Sequence, residues 1–236
     1  MSSARPMTVD DDAGQVTEVT SADLAPTEFV DSEHEAVRRF VERVAGSASD
    51  ERTVISRLFA AVRDEIRYDP YSLSADPGDY RASAVIAAGS AYCVPKAVLL
   101  TASARAAGIP ARLGFADVRN HLQSPRLLEL MGTDLFIYHG YSSVFVGGHW
   151  RKASPAFNRE LCAKFGVPAL EFDGSEDALL HAFNGSGERH MEYVRDRGTT
   201  TDLPFAEIMA AYAATYSSIT EDEGLNDRAV ADPKMS

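Results

Sequence analysis

Basic residues and cysteines are scarce in this chain of 236 residues: 23 Lys plus Arg stand against 35 Asp plus Glu, the formal net charge is -12, and there are two cysteines and one tryptophan. The acidic excess opposes association with phosphate backbones or anionic lipid, so neither nucleic acid nor a membrane is an expected partner. No apolar run approaches the roughly 18 residues of a membrane span, and the opening MSSARPMTVDDDAG lacks the apolar stretch of a secretory signal. The expected location is cytoplasmic. Two cysteines can build neither a disulfide framework nor a four-cysteine zinc site. A Gly-rich phosphate fingerprint and clustered metal-ligand spacings are also missing, so neither a cofactor nor a metal is expected.

The remaining composition, 45% hydrophobic and 25% charged, is that of a globular protein large enough to bury a sizeable core. Residues 1–25 are rich in Ser, Thr, Asp and Ala without a period and are expected to form a flexible leader, with order beginning near Phe29. A single domain is expected over 26–219, its core at about 50–158, followed by a polar tail over 220–236. Apolar residues at helical spacing predict a helix over about 33–45, capped by Asp31 or Ser32, and a second from Ser49 or Asp50 to just before Tyr68-Asp69-Pro70. Residues 69–82 carry two prolines and a Pro-Gly turn signal and are expected to be loop.

Pro95 is tolerated only in a first helical turn, and Gly108 with Pro110 forms a stop, so a helix is expected from about Cys93 to Ala107. It has almost no polar face and should be buried. A strand is predicted over 111–118, a short helical piece over 125–131, and two strands, 135–146 and 149–154, around the hairpin signal Gly147-Gly148. Beyond Phe157 the pattern weakens to short helices and loops, with one last amphipathic helix near 205–216.

Cys93 therefore stands at a helix N-terminus, where unpaired N–H groups and the helix dipole lower a thiol pKa and can also receive an oxyanion. The plainer alternative is a small buried hydrophobe. A cysteine nucleophile needs a base, and there are six histidines. His34, His149 and His181 sit in a surface helix, at a turn and in an irregular segment. His139 interrupts the apolar strand FIYHGYSSVFV, either as a hydrogen-bonded buried side chain or as the partner of Cys93. His121 and His190 are weaker candidates. Cys162, in LCAKFG, is expected to be structural.

Three segments resemble the transglutaminase-like superfamily, whose fold is similar to that of papain-type cysteine proteases. YCVPKAVLLTASARAAGIPARLGF resembles the cysteine motif, its helix and the Gly-Ile-Pro-Ala-Arg turn. HGYSSVFVGGHW resembles the histidine strand and hairpin, and EIRYDPY the tyrosine-bearing run before the cysteine. Together they cover about residues 50–158. The resemblance implies an α+β fold with N-terminal helices and a buried cysteine helix packed on a small antiparallel sheet, with Cys93 as nucleophile and His139 as base.

The departure lies at the third member. The family commonly has an Asp-Pro dipeptide after the tryptophan of the second hairpin strand, whereas this chain has Ser154-Pro155. A neutral group can still hold the imidazole tautomer, and Asn158 is the expected partner, with Ser154 as fallback and Asp173 more distant. Tyr92, Tyr138 and Tyr141 are expected to be core residues with a polar tip and Arg112 to make an ion pair, while Arg119, Asn120 and His121, just past the strand end, read first as a solvated loop and second as substrate contacts. The expected activity is acyl transfer through a Cys93 thioester, cleaving or forming an amide bond of a peptide or small acyl substrate. The alternative is a catalytically silent binding or scaffold module. Oligomeric state is not legible.

Overall fold

A computed structural model describes residues 18–180, 184–188 and 190–216. The tail from 220, residues 1–17 of the leader and His181 lie outside them. Helix α1 (Glu35–Ala45) is capped by His34, whose Nδ1 accepts from the Ala36 N–H. The expected cap Asp31 instead binds Ser83, through its amide at 3.1 Å and its hydroxyl at 2.5 Å. Helix α2 (Glu51–Glu65) is capped by Asp50, as its sequence predicts. Strand β1 (Arg67–Tyr68) follows, then a short 3-10 turn, Pro77–Tyr80, inside the expected loop. Helix α3 (Ala82–Ala88) leads to β2 (Ser90–Ala91), which pairs in parallel with β1 so that Tyr68 is opposite Ala91.

Helix α4 (Cys93–Ala106) starts and ends within one residue of the expected bounds and is buried from Cys93 to Arg105. Even Lys96 has no solvent exposure. Its ammonium donates to the carbonyls of Arg63 and Ile66 at 2.9 and 2.6 Å, satisfying acceptors left open at the end of α2.

Strand β3 (Ala111–Asn120), helix α5 (Pro125–Met131), strands β4 (Leu135–Val146) and β5 (His149–Ala153), and helix α6 (Arg159–Phe165) follow, then strand β6 (Met191–Thr200) and helix α7 (Phe205–Thr215). The sheet is antiparallel with order β5-β4-β3-β6. The β4–β5 hairpin turns at Gly147 and Gly148 with φ of +60° and +83°, the positive values a two-residue turn of this kind requires. The class is α+β, with a buried helix against an antiparallel sheet.

Two expectations fail. Residues 18–25 are docked rather than loose: Asp23, fully buried, pairs with Arg112 at 2.6 Å, and Arg105 donates to the Ala25 carbonyl at 2.8 Å. Strand β6 was expected as irregular chain, because MEYVRDRGTT carries the charges of an edge strand with a wet face instead of an apolar alternation.

The packing that positions the rest is the contact of α4 with β4. A Cβ built on Gly140 would stand 2.8 Å from Val94 Cα and 3.2 Å from the Cys93 carbonyl oxygen, both backbone atoms that cannot swing aside. Gly140→Ala should therefore lower the unfolding free energy by about 1–3 kcal/mol in urea titration, the usual range for overpacking. An unchanged midpoint would mean that the two elements are not pressed together.

Candidate functional site

Cys93 is the first residue of α4, held there by the β1–β2 pairing on one side and by β4 on the other. It is 6% exposed. Its sulfur accepts from the backbone N–H groups of Gly140 and Val94, which favour the thiolate, but burial dominates and pushes the thiol up to about 11. The helix N-terminus alone predicts a lowered value. The structure reverses that sign because desolvation of the charged form outweighs the dipole and the N–H donors.

His139 comes from β4, one residue before Gly140, and is 3% exposed. Burial drives its imidazole down to about 4, so it is neutral at pH 7. Its Nε2 lies 3.2 Å from Ser154 Oγ, which leaves Nδ1 for another partner. The preceding residue, Tyr138, has a φ of +53°, a sparsely populated backbone state for a side-chain-bearing residue. Asp117 holds it there by accepting from the Tyr138 N–H at 3.1 Å while binding Arg197 through two contacts of 2.5 and 2.9 Å. The guanidinium of Arg197 caps the Tyr138 ring at 4.0 Å. The register shift between Ala116 and Val118 faces this residue, so the bulge and the left-handed turn together aim His139.

Cys93 and His139 line one cavity of about 60 Å³ with apolar and aromatic residues of α5, α7 and the start of β4. Tyr68, Leu127, Phe136 and His139 separate it from a second cavity of about 10 Å³, which also touches Asn120 and Met191.

The third expected member, Asn158, is not bonded to the ring. Its Oδ1 accepts from the Tyr68 N–H at 3.3 Å. It is the N-cap residue of α6, turned toward β1, whereas Ser154 is fixed at the end of β5 by donation of its N–H to Ala178 and is 1% exposed. The fallback residue thus holds the imidazole. Asp173 accepts from the Ser175 N–H and hydroxyl in an exposed turn. His121 contacts Glu192 at 3.1 Å and Arg119 pairs with Asp134, while His190 stacks on Phe157 at 5.9 Å. Of Arg119, Asn120 and His121, only Asn120 reaches a cavity that touches His139. Tyr141 is buried and donates to Asp196 at 3.4 Å, and Cys162 is a buried free thiol. Sequence reading missed Gly140 and the Asp117–Arg197 pair, and had Tyr68 only as part of the tyrosine-bearing run. A glycine beside a strand histidine was the available signal for the first.

The sequence profile of the transglutaminase-like superfamily matches residues 38–155, half of the chain. This protein belongs to the transglutaminase-like superfamily. No curated protein matches it by sequence. Among solved structures it is similar to a candidate cysteine protease from Cytophaga hutchinsonii, with 18% identity and a TM-score of 0.46 over 82% of this chain and 48% of that one. It is also similar to a candidate protease from Parabacteroides distasonis, with 16% identity and a TM-score of 0.38 over 56% of this chain and 25% of that one. The chain thus spans half or less of each. Among the described residues, no helix is long and apolar enough to cross a membrane, and no group of three His, Cys, Asp or Glu side chains is placed to hold a metal ion.

Ser154→Ala removes the contact to the His139 ring and should lower Cys93-dependent turnover, the activity proposed below, by about 10-fold to 100-fold with little change in stability. Asn158→Ala should instead lower stability by about 1 kcal/mol, through the lost bond to Tyr68, and affect turnover less. Kinetics and urea denaturation on the two variants decide between the assignments; the reverse pattern would restore Asn158 as the orienting residue.

Proposed function

We propose that the protein is a cysteine-dependent acyl-transfer enzyme that cleaves an amide bond through a thioester on Cys93, with His139 as the base. The observation that carries this reading is the placement of the Cys93 sulfur at the Gly140 N–H, one residue from an imidazole that lines the same cavity and has its far nitrogen held by Ser154. A thiol and an imidazole on one cavity, with a hydroxyl against the imidazole, are the groups that thiol catalysis needs.

The two neutral side chains set the order of events. Burial raises the thiol and lowers the imidazole, so both neutral forms are favoured in the resting site. The sulfur attacks the acyl carbon while its proton moves to His139 Nδ1. Backbone N–H groups at the start of α4 receive the oxyanion as it forms. His139 then gives the proton to the leaving nitrogen, the C–N bond breaks, and the thioester remains. Water attacks in the second half, activated by the same imidazole, and returns the acid and the free thiol.

The neighbouring reading, a silent scaffold on this fold, makes no use of the aimed His139 or its strained Tyr138. Incubating the protein with activated acyl donors and measuring intact mass should give one adduct, mapping to Cys93. It should be abolished in Cys93→Ala and formed more slowly in His139→Ala. An adduct confined to Cys162, or none from any donor, would favour the scaffold.

A further inference from the structure

The cavity at Cys93 is small, uncharged and roofed. Its volume is about 60 Å³, and none of its lining residues is charged when His139 is neutral. An apolar cavity of about 150 Å³ takes benzene, so this one has room for an acyl chain of about two to four carbons and not for a long side chain. Leu130 and Met131 of α5 close one side, and Tyr212 of α7 with Tyr216 just beyond closes another.

The roof also occupies backbone that an extended substrate would need. Strand β5 pairs with β4 only from Ser142 onward, so the β5-side edge of β4 is uncovered where it approaches His139. In that stretch the Tyr216 hydroxyl accepts from the Ile137 N–H at 2.7 Å and donates to the Leu135 carbonyl at 3.3 Å. A polypeptide adding itself as a strand would have to displace both bonds. The Tyr92 hydroxyl of the wall is also engaged, donating to Tyr80 at 3.2 Å.

We infer that this cavity is an acyl pocket selective for short, uncharged aliphatic acyl groups, with α5 and the α7 tyrosines setting its depth. The substrate class is then a small N-acyl compound rather than a protein. This rests on the Cys93 acyl-transfer reading. In chemical terms the thioester C–S bond forms to a short acyl carbon, the amine departs with the thiol proton, and water releases a short carboxylic acid.

The test uses the full chain and the p-nitrophenyl esters of acetate, propionate, butyrate, hexanoate and octanoate, with the monosuccinyl ester as charged analogue and casein as polypeptide. Turnover is corrected for the rate of Cys93→Ala, and the adduct is read by intact mass. The pocket predicts that kcat/KM falls by at least about 10-fold from butyrate to hexanoate and from butyrate to succinate, with no cleavage of casein. Met131→Ala should deepen the cavity and raise the hexanoate value by about 10-fold. If that variant fails to fold, the wild-type series alone decides. Equal rates on hexanoate, succinate and butyrate, or efficient cleavage of casein, would overturn the pocket while leaving acyl transfer at Cys93 intact. A folded Met131→Ala with an unmoved chain-length profile would do the same, and absence of any Cys93 adduct would end both readings.

Discussion

The contact between the first turn of α4 and β4 at Gly140 is the constraint on which the site depends. It brings two backbones within a distance that no side chain at residue 140 would allow. It presents the Gly140 N–H to the Cys93 sulfur, and with the roof from α5 and α7 it leaves Cys93 and His139 almost without solvent. Desolvation then governs both ionisations, pushing thiol and imidazole apart toward their neutral forms. An exposed helix N-terminus would have favoured a standing thiolate. In a buried one, the proposed chemistry proceeds by proton transfer during attack, and the developing charges meet fixed dipoles in a largely apolar cavity where those dipoles act strongly.

Much of this arrangement is legible in the residues. Pro95 and the Gly108-Pro110 stop fix both ends of α4, and its lack of a polar face announces burial. Gly147-Gly148 fixes the hairpin, and with it the neighbourhood of β5 and His139. What the sequence hides are long-range consequences of packing. A helix N-terminus is visible in sequence, but the depth at which it is buried is not, so the thiol shift was expected with the wrong sign. The segment after β5 shows an amide at Asn158 and a hydroxyl at Ser154. Which of them meets the ring depends on the chain turning into α6 at Asn158, which sends the amide to Tyr68. Strand β6 is hidden for another reason: its charges suit an edge, and its pairing with β3 is specified by the partner rather than by its own pattern.

The supports of His139 lie far apart in sequence. Asp117 sits on β3, Arg197 on β6 and Ser154 at the end of β5, so three strands fix one residue of the fourth. Tyr138 is held in its left-handed backbone by bonds to that frame. The same density of support explains why the cavity is small. The elements that exclude water from the thiol also fill the space where a larger acyl group would lie.

The account turns on burial, rather than the helix dipole, setting the state of Cys93, and the pH dependence of its alkylation measures that directly. Iodoacetamide labelling, quantified by mass on the Cys93 peptide, should rise about 10-fold per pH unit through pH 9 without levelling, as for a thiol titrating near 11. A rate that is already at its plateau at pH 7 would reveal a standing thiolate and contradict the account.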